Sequence, residues 1–174
     1  PQPGGSVLEM LRGDLAAVAT QAQRLQRPIL AQVNHPNWKY SITADELAQA
    51  TQARFFEVCN AGPDSNYYGG SGHPAAEAMW DAANATRISR LKQPPLYGLA
   101  SDDAHRYHVF GPSQDNPGRG WIMVRAQELS AKALLEAMQQ GDFYATTGVL
   151  LRELSFDTTS GTLKVTVAEE PGVS

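Results

Sequence analysis

Along this chain, apolar runs of strand length alternate with segments of helical period, and that alternation restricts it to a parallel sheet or barrel with helices on its faces. Ser6 to Gln26 carries Leu8, Leu11, Leu15, Val18, Ala22 and Leu25 at spacings of three and four. This predicts a helix with one buried stripe, capped by Ser6 and ended by Arg27-Pro28. Ile29 to Val33 is a short apolar strand that stops at Asn34-His35-Pro36-Asn37. Thr43-Ala-Asp-Glu46 is a capping box opening a helix to about Ala53. Arg54 to Val58 reads as the next strand, ending in Glu57-Val-Cys-Asn60, and a glycine-rich loop from Ala61 to Gly72 follows. Pro74, at the first helical position, opens a helix to about Lys92 that Gln93-Pro-Pro95 breaks. The run Pro95 to Ala100 is a buried strand that stops at Asp102-Asp-Ala-His105.

Beyond a second loop, Gly111 to Gly120, the pattern continues. Trp121 to Val124 is a strand, Ser130 caps a helix from Ala131 to Gln140 with Gly141 as its stop, and Phe143 to Thr147 is a strand. The tail differs in kind. Leu163, Val165 and Val167 alternate with Thr162, Lys164 and Thr166, so residues 149 to 168 read as an antiparallel hairpin turning at Thr158 to Gly161. The expected organisation is an α/β body over residues 1–148 and an antiparallel β extension over 149–174. The body has four or five strand–helix units, where a closed barrel takes about seven or eight in roughly 250 residues. It also starts on a helix, so it reads as the second half of a barrel and as a piece of a longer protein.

Composition removes several function classes. With 174 residues, 42% hydrophobic and 18% charged, the chain can bury a core. A formal net charge of −4 and the absence of a Lys/Arg cluster leave no footprint for nucleic acid. No apolar run approaches a membrane span. A single cysteine excludes an internal disulfide framework and says nothing about compartment.

Chemistry collects at strand ends. The first strand ends near His35, the second in Glu57 and Asn60, the third in Asp103 and His105. Side chains two apart on a strand point the same way, so Asp103 and His105 face one spot and Asp102 faces the other side. A carboxylate and an imidazole converging there are two ligands of a divalent metal site. Asn34, Glu57, Asn60, Asp102, His108 and Arg119 are candidates to touch a substrate or to brace those ligands, with Arg119 able to clamp a phosphate bidentately. Other features read as plain structure. Cys59 is a small buried hydrophobe, Met79 and Trp80 are core, and His73 caps or decorates a helix start. His105 and His108 lack the His-Glu-x-x-His pattern of zinc proteases, and the glycine loop lacks the Lys-Ser/Thr of a phosphate loop.

The segments Gln32-Val-Asn-His-Pro-Asn37, Phe56-Glu-Val-Cys-Asn60, Ser101-Asp-Asp-Ala-His105, Gly118-Arg-Gly-Trp-Ile-Met-Val-Arg125 and Gly141-Asp-Phe-Tyr-Ala-Thr-Thr-Gly148 resemble the polymerase-and-histidinol-phosphatase (PHP) metallohydrolases. They cover most of residues 29 to 148, in the order expected of that family's C-terminal half. The resemblance implies a distorted (βα)7 barrel, two or three divalent metals (zinc, manganese or iron) at the strands' carboxyl ends, and hydrolysis of a small phosphorylated substrate. It makes His35 the late single-histidine ligand and Asp103 with His105 the last motif, with Asp103 and His105 doing the chemistry. The chain has four histidines and no His-x-His pair, so the family's earlier ligands would lie outside it. Two other readings follow from the same residues. One is a non-catalytic module that binds a ligand or partner through this face. The other is a structural half-barrel that self-associates through its open sheet edge or meets its missing N-terminal half there, covering exposed apolar surface.

Overall fold

The predicted Ser6 cap and the Thr43–Glu46 capping box are both present, and Ser6 also turns out to close a box of its own. The computed structural model describes residues 5–169, so the two chain ends expected to belong to the body and to the β extension lie outside the described residues. Ser6 and Glu9 cap each other reciprocally at the start of α1 (Val7–Leu25), and Thr43 and Glu46 do the same at α2 (Ala44–Gln49). Between them β1 (Gln32–Val33) is shorter than the apolar run suggests. The remaining elements are β2 (Phe55–Asn60), α3 (Ala76–Thr86) running into a π turn (Arg87–Leu91), β3 (Tyr97–Ser101), β4 (Trp121–Val124), α4 (Ala131–Gln140), β5 (Phe143–Thr146), β6 (Leu151–Asp157) and β7 (Thr162–Val167).

Strands β1, β2 and β3 form a parallel sheet in that order, with Gln32 opposite Phe55 and Phe55 opposite Tyr97. The core lies under it, where Val33, Leu47, Phe56, Met79, Ala83 and Leu96 bury against one another. Trp80 fits the core reading in part, half-buried with its indole N–H donating to the Leu96 carbonyl at 2.8 Å. On the other face of β2, Phe55 meets Tyr97 and Phe143, with ring centroids 5.8 and 6.2 Å away. That aromatic cluster docks the β4–β5 pair beside β3.

Two expectations change. The alternation predicts continued parallel pairing, yet β4 and β5 pair antiparallel, Val124 opposite Phe143 and Trp121 opposite Thr146. The reason is local: α4 leaves from and returns to the same end of β4. Gly141, in the left-handed region at φ +84°, stops α4, and the Arg125 N–H then donates to the Asp142 carbonyl at 2.8 Å. The described strands therefore form three small sheets and no closed barrel. The stripe of α1 is also only half used. Leu8, Leu11 and Leu15 pack on the core, whereas Leu25 is 48% exposed. Val18, Ile29 and Leu30 instead line an open groove of about 430 Å³ beside β1, the sheet's edge strand. The hairpin forms as read: β6 and β7 pair antiparallel, and the Asp157 carboxylate accepts from the Thr159 N–H to close the turn. Among the described residues no helix is long and apolar enough to cross a membrane.

Candidate functional site

Three buried polar side chains, Asn37, Glu57 and Asn60, organise the carboxyl ends of the parallel strands. Burying such groups is unfavourable unless they find partners, and, apart from Asn37 Oδ1, which is buried without a partner among the described residues, they bond the loops around the candidate ligands. Asn37 donates through Nδ2 to the carbonyls of Asn66 (3.1 Å) and Pro74 (2.9 Å), which ties the glycine-rich loop to the turn after β1. His35 sits in that turn at φ +25°. Its N–H donates to Glu57 Oε2, and its ring stands edge-on to Trp38, with centroids 5.7 Å apart.

A bulge in β2 sets the next pair. In a regular strand residues 57 and 60 would point to opposite faces. The register of β2 against β3 slips between Glu57 and Cys59, and a bulge of this kind re-aims the side chains beyond it. Glu57 and Asn60 thus meet, with Asn60 Nδ2 donating to Glu57 Oε2 at 3.0 Å. The same amide donates to Asp103 Oδ2 at 3.1 Å, and Asn60 Oδ1 accepts from the Gly62 N–H at 2.8 Å. One amide thereby holds two carboxylates and the start of the loop.

Asp103 and His105 come together for a different reason than strand alternation. The strand ends at Ser101, and Asp103 takes a left-handed conformation at φ +49°. His105 Nδ1 then lies 2.6 Å from the Asp103 carbonyl. A carbonyl can only accept, so this bond puts the proton on Nδ1 and leaves Nε2 as a free lone pair, the arrangement found in metal-binding histidines. Asp115 Oδ2 is 3.9 Å from the same Nδ1. Asp102 turns the other way and accepts from the Gly118 N–H at 2.6 Å.

His35, Asp103 and His105 line one cleft of about 460 Å³, together with Trp38, Asp64, Arg106 and Asp115. The donor types suit a divalent metal: two imidazoles and a carboxylate, with Asp103 Oδ1 taking no hydrogen bond among the described residues. They fit as part of a set and not as a whole one. Among the described residues no three His, Cys, Asp or Glu side chains stand close enough together to hold an ion. Asn34 and His108 are exposed and lie outside the lining of this cleft. Arg119 does not face it either. Its guanidinium is taken by the carbonyls of Gly111 and Pro112 (the latter at 3.1 Å), on the wall of a neighbouring cleft. Trp38, Asp64 and Asp115 carry no sequence signal, because loop folding alone brings them in.

Behind the site, burial and then the bond from its hydroxyl to Glu77 (2.8 Å) push the Tyr67 phenol well above its ordinary value. Burial likewise pushes the Cys59 thiol up, in keeping with an inert side chain. His73 stacks flat on Tyr40, with centroids 3.9 Å apart. A proton that the fold holds more tightly than the unfolded chain stabilises the fold below the unfolded pKa, and that stability is lost as pH rises past it. Wild type is therefore expected to lose stability above about pH 10, the ordinary tyrosine value, more steeply than Tyr67→Phe. Urea unfolding at about pH 9 and about pH 11 checks this, and equal slopes in the two proteins would count against the buried phenol. Compared with known protein families, curated proteins and solved structures, the chain shows no significant match to any of them.

Proposed function

We propose that this chain is the C-terminal part of a PHP-type metal-dependent hydrolase, a distorted (βα)7 barrel in its complete form, acting on a phosphoester. The reading rests on one observation: His35, Asp103 and His105, which the resemblance singles out, line a single cleft at the strands' carboxyl ends. On this reading His35, the free Oδ1 of Asp103 and Nε2 of His105, which stand too far apart here to share one ion among the described residues, would each complete a site for zinc, manganese or iron with ligands supplied from elsewhere. Such an ion, when bound, polarises phosphoryl oxygens and supplies hydroxide near neutral pH. The chain's own work is positional. Asn60 aims the Asp103 carboxylate, Glu57 holds the His35 turn through its backbone, and the Asp103 carbonyl fixes the tautomer of His105.

Elemental analysis of protein purified without added metal is expected to find a divalent transition metal. Asp103→Ala and His105→Ala should each weaken retention more than the roughly 10- to 100-fold that removal of an outer partner costs. Turnover of an aryl phosphate should fall with metal content. No metal in wild type, or undiminished metal in both variants, would remove the assignment. Metal without turnover would favour the ligand-binding module instead.

A further inference from the structure

The β6–β7 hairpin sorts its side chains by face. Across an antiparallel pair, residues directly opposite each other share a face. The register sets Phe156 opposite Leu163, Leu154 opposite Val165 and Leu151 opposite Val167, so three apolar pairs stack along one side. In a regular strand Leu151 and Leu154 would point to opposite sides. The slip in register between Leu151 and Glu153 returns Leu151 to the apolar one. The intervening pairs, Asp157 with Thr162, Ser155 with Lys164 and Glu153 with Thr166, are polar and take the reverse side. There the Lys164 ammonium lies 2.8 Å from the Glu153 carboxylate, and the Thr166 hydroxyl donates to the same group.

The apolar side is left open to solvent. Leu154, Phe156, Leu163, Val165 and Val167 are each between 41% and 60% exposed. Together they leave about 500 Å² of apolar surface in water, large enough for a patch on a soluble chain to mark a contact site. A two-stranded hairpin is marginal alone in water and gains stability when its apolar face is packed. Two such faces pressed together come to about 1,000 Å², the area at which a specific interface becomes possible.

The sorting by face favours a second copy as the cover. Closed dimers are two-fold, so each patch must be complementary to itself. A patch bearing charge of one sign would repel its own copy, and this chain carries a formal net charge of −4. None of the six paired side chains on the apolar side is charged, and Glu153, Asp157 and Lys164 lie on the reverse side. Two copies can therefore meet here with no charge buried and no ion pair broken.

We propose that the apolar face of the β6–β7 hairpin is a dimer interface, closed by the same face of a second copy. The two hairpins stack as layers of a small β-sandwich, about 10 Å apart, with their inner side chains interdigitated. This contact is separate from the open edge at β1. It also leaves free the cleft of His35, Asp103 and His105, which no hairpin residue lines.

Sedimentation equilibrium of the chain at up to about 100 μM, above the micromolar affinity of a modest interface, should give twice the chain mass. Phe156→Lys and Val165→Lys should each raise the dissociation constant by about 30-fold or more, as loss of a central contact does. Phe156→Leu should remain dimeric. Thr166→Lys, which adds the same charge on the reverse side opposite Glu153, should remain dimeric too. Ile29→Lys, in the groove beside β1, should leave the dimer unchanged. A monomeric wild type at that concentration overturns the proposal and leaves the face to another partner. A dimer untouched by both Phe156→Lys and Val165→Lys, or one dissolved by Ile29→Lys or Thr166→Lys as readily as by those two, overturns it as well.

Discussion

Arg87→Ala is expected to destabilise the protein by about 3–5 kcal/mol, because it strips a charged donor from several buried carbonyls and each such group left unpaired costs about 1–3 kcal/mol. Arg87 is fully buried. Its guanidinium donates to the carbonyls of Pro94 (2.9 Å), Ala50 (3.2 Å), Thr51 (3.4 Å) and Ala53 (3.0 Å). The last three lie just past the end of α2, where the helix dipole favours a cation; the Ala50 carbonyl also accepts from the Ala53 N–H at 2.9 Å. Burial, with Arg54 nearby as a lesser cause, lowers its pKa, but an arginine stays charged at neutral pH. Arg87→Met separates packing from hydrogen bonding, because methionine fills much of the space and satisfies none of the carbonyls. Its urea midpoint should fall nearly as far as that of alanine. A methionine variant within about 1 kcal/mol of wild type, less than one charged hydrogen bond is worth, would show that the side chain matters for volume alone. Against a total stability of roughly 5–15 kcal/mol, the expected loss is a large fraction of what holds the domain together.

Asn60→Leu should have the second-largest effect, about 3 kcal/mol of stability, since two of the bonds it removes run to carboxylates. Without the amide, Glu57, 2% exposed, keeps only the His35 N–H, and Asp103 loses its Oδ2 donor. On the proposed reading, metal retention should fall by about 10- to 100-fold, as for other groups that orient a ligand. Urea unfolding and metal analysis on the same preparation check both effects. A midpoint shift below about 0.5 kcal/mol, the size of an ordinary surface change, would mean that the network carries no stability.

The elements most legible in the sequence are those set by local chemistry. Ser6 with Glu9 and Thr43 with Glu46 close capping boxes because three residues separate the partners in any helix that starts there. Ser130 and Gly141 bound α4 for equally local reasons. The start of α3 was less legible. It begins at Ala76 and not at Pro74, and its end loosens into a π turn at Arg87, whose side chain reaches across to the carbonyl of Ala50 at the end of α2.

The candidate ligands show the same division. The residue types at the strand ends, His35, Glu57, Asn60, Asp103 and His105, are written in the sequence. Their meeting is not, because alternation along a strand applies only while the strand lasts, and β3 stops at Ser101. A left-handed turn at Asp103 and a bulge in β2 place the side chains, and both depend on pairing with a neighbouring strand or loop. Sequence by itself determined where the side-chain-capped helices α1, α2 and α4 start, which runs are apolar and which donors stand near strand ends, since these follow from contacts a few residues apart. Only the tertiary structure decided that β5 runs antiparallel to β4, that Arg87 closes α2 and that Arg119 faces the neighbouring cleft. Each of these is fixed by a carbonyl or strand edge that comes close only when the chain has folded.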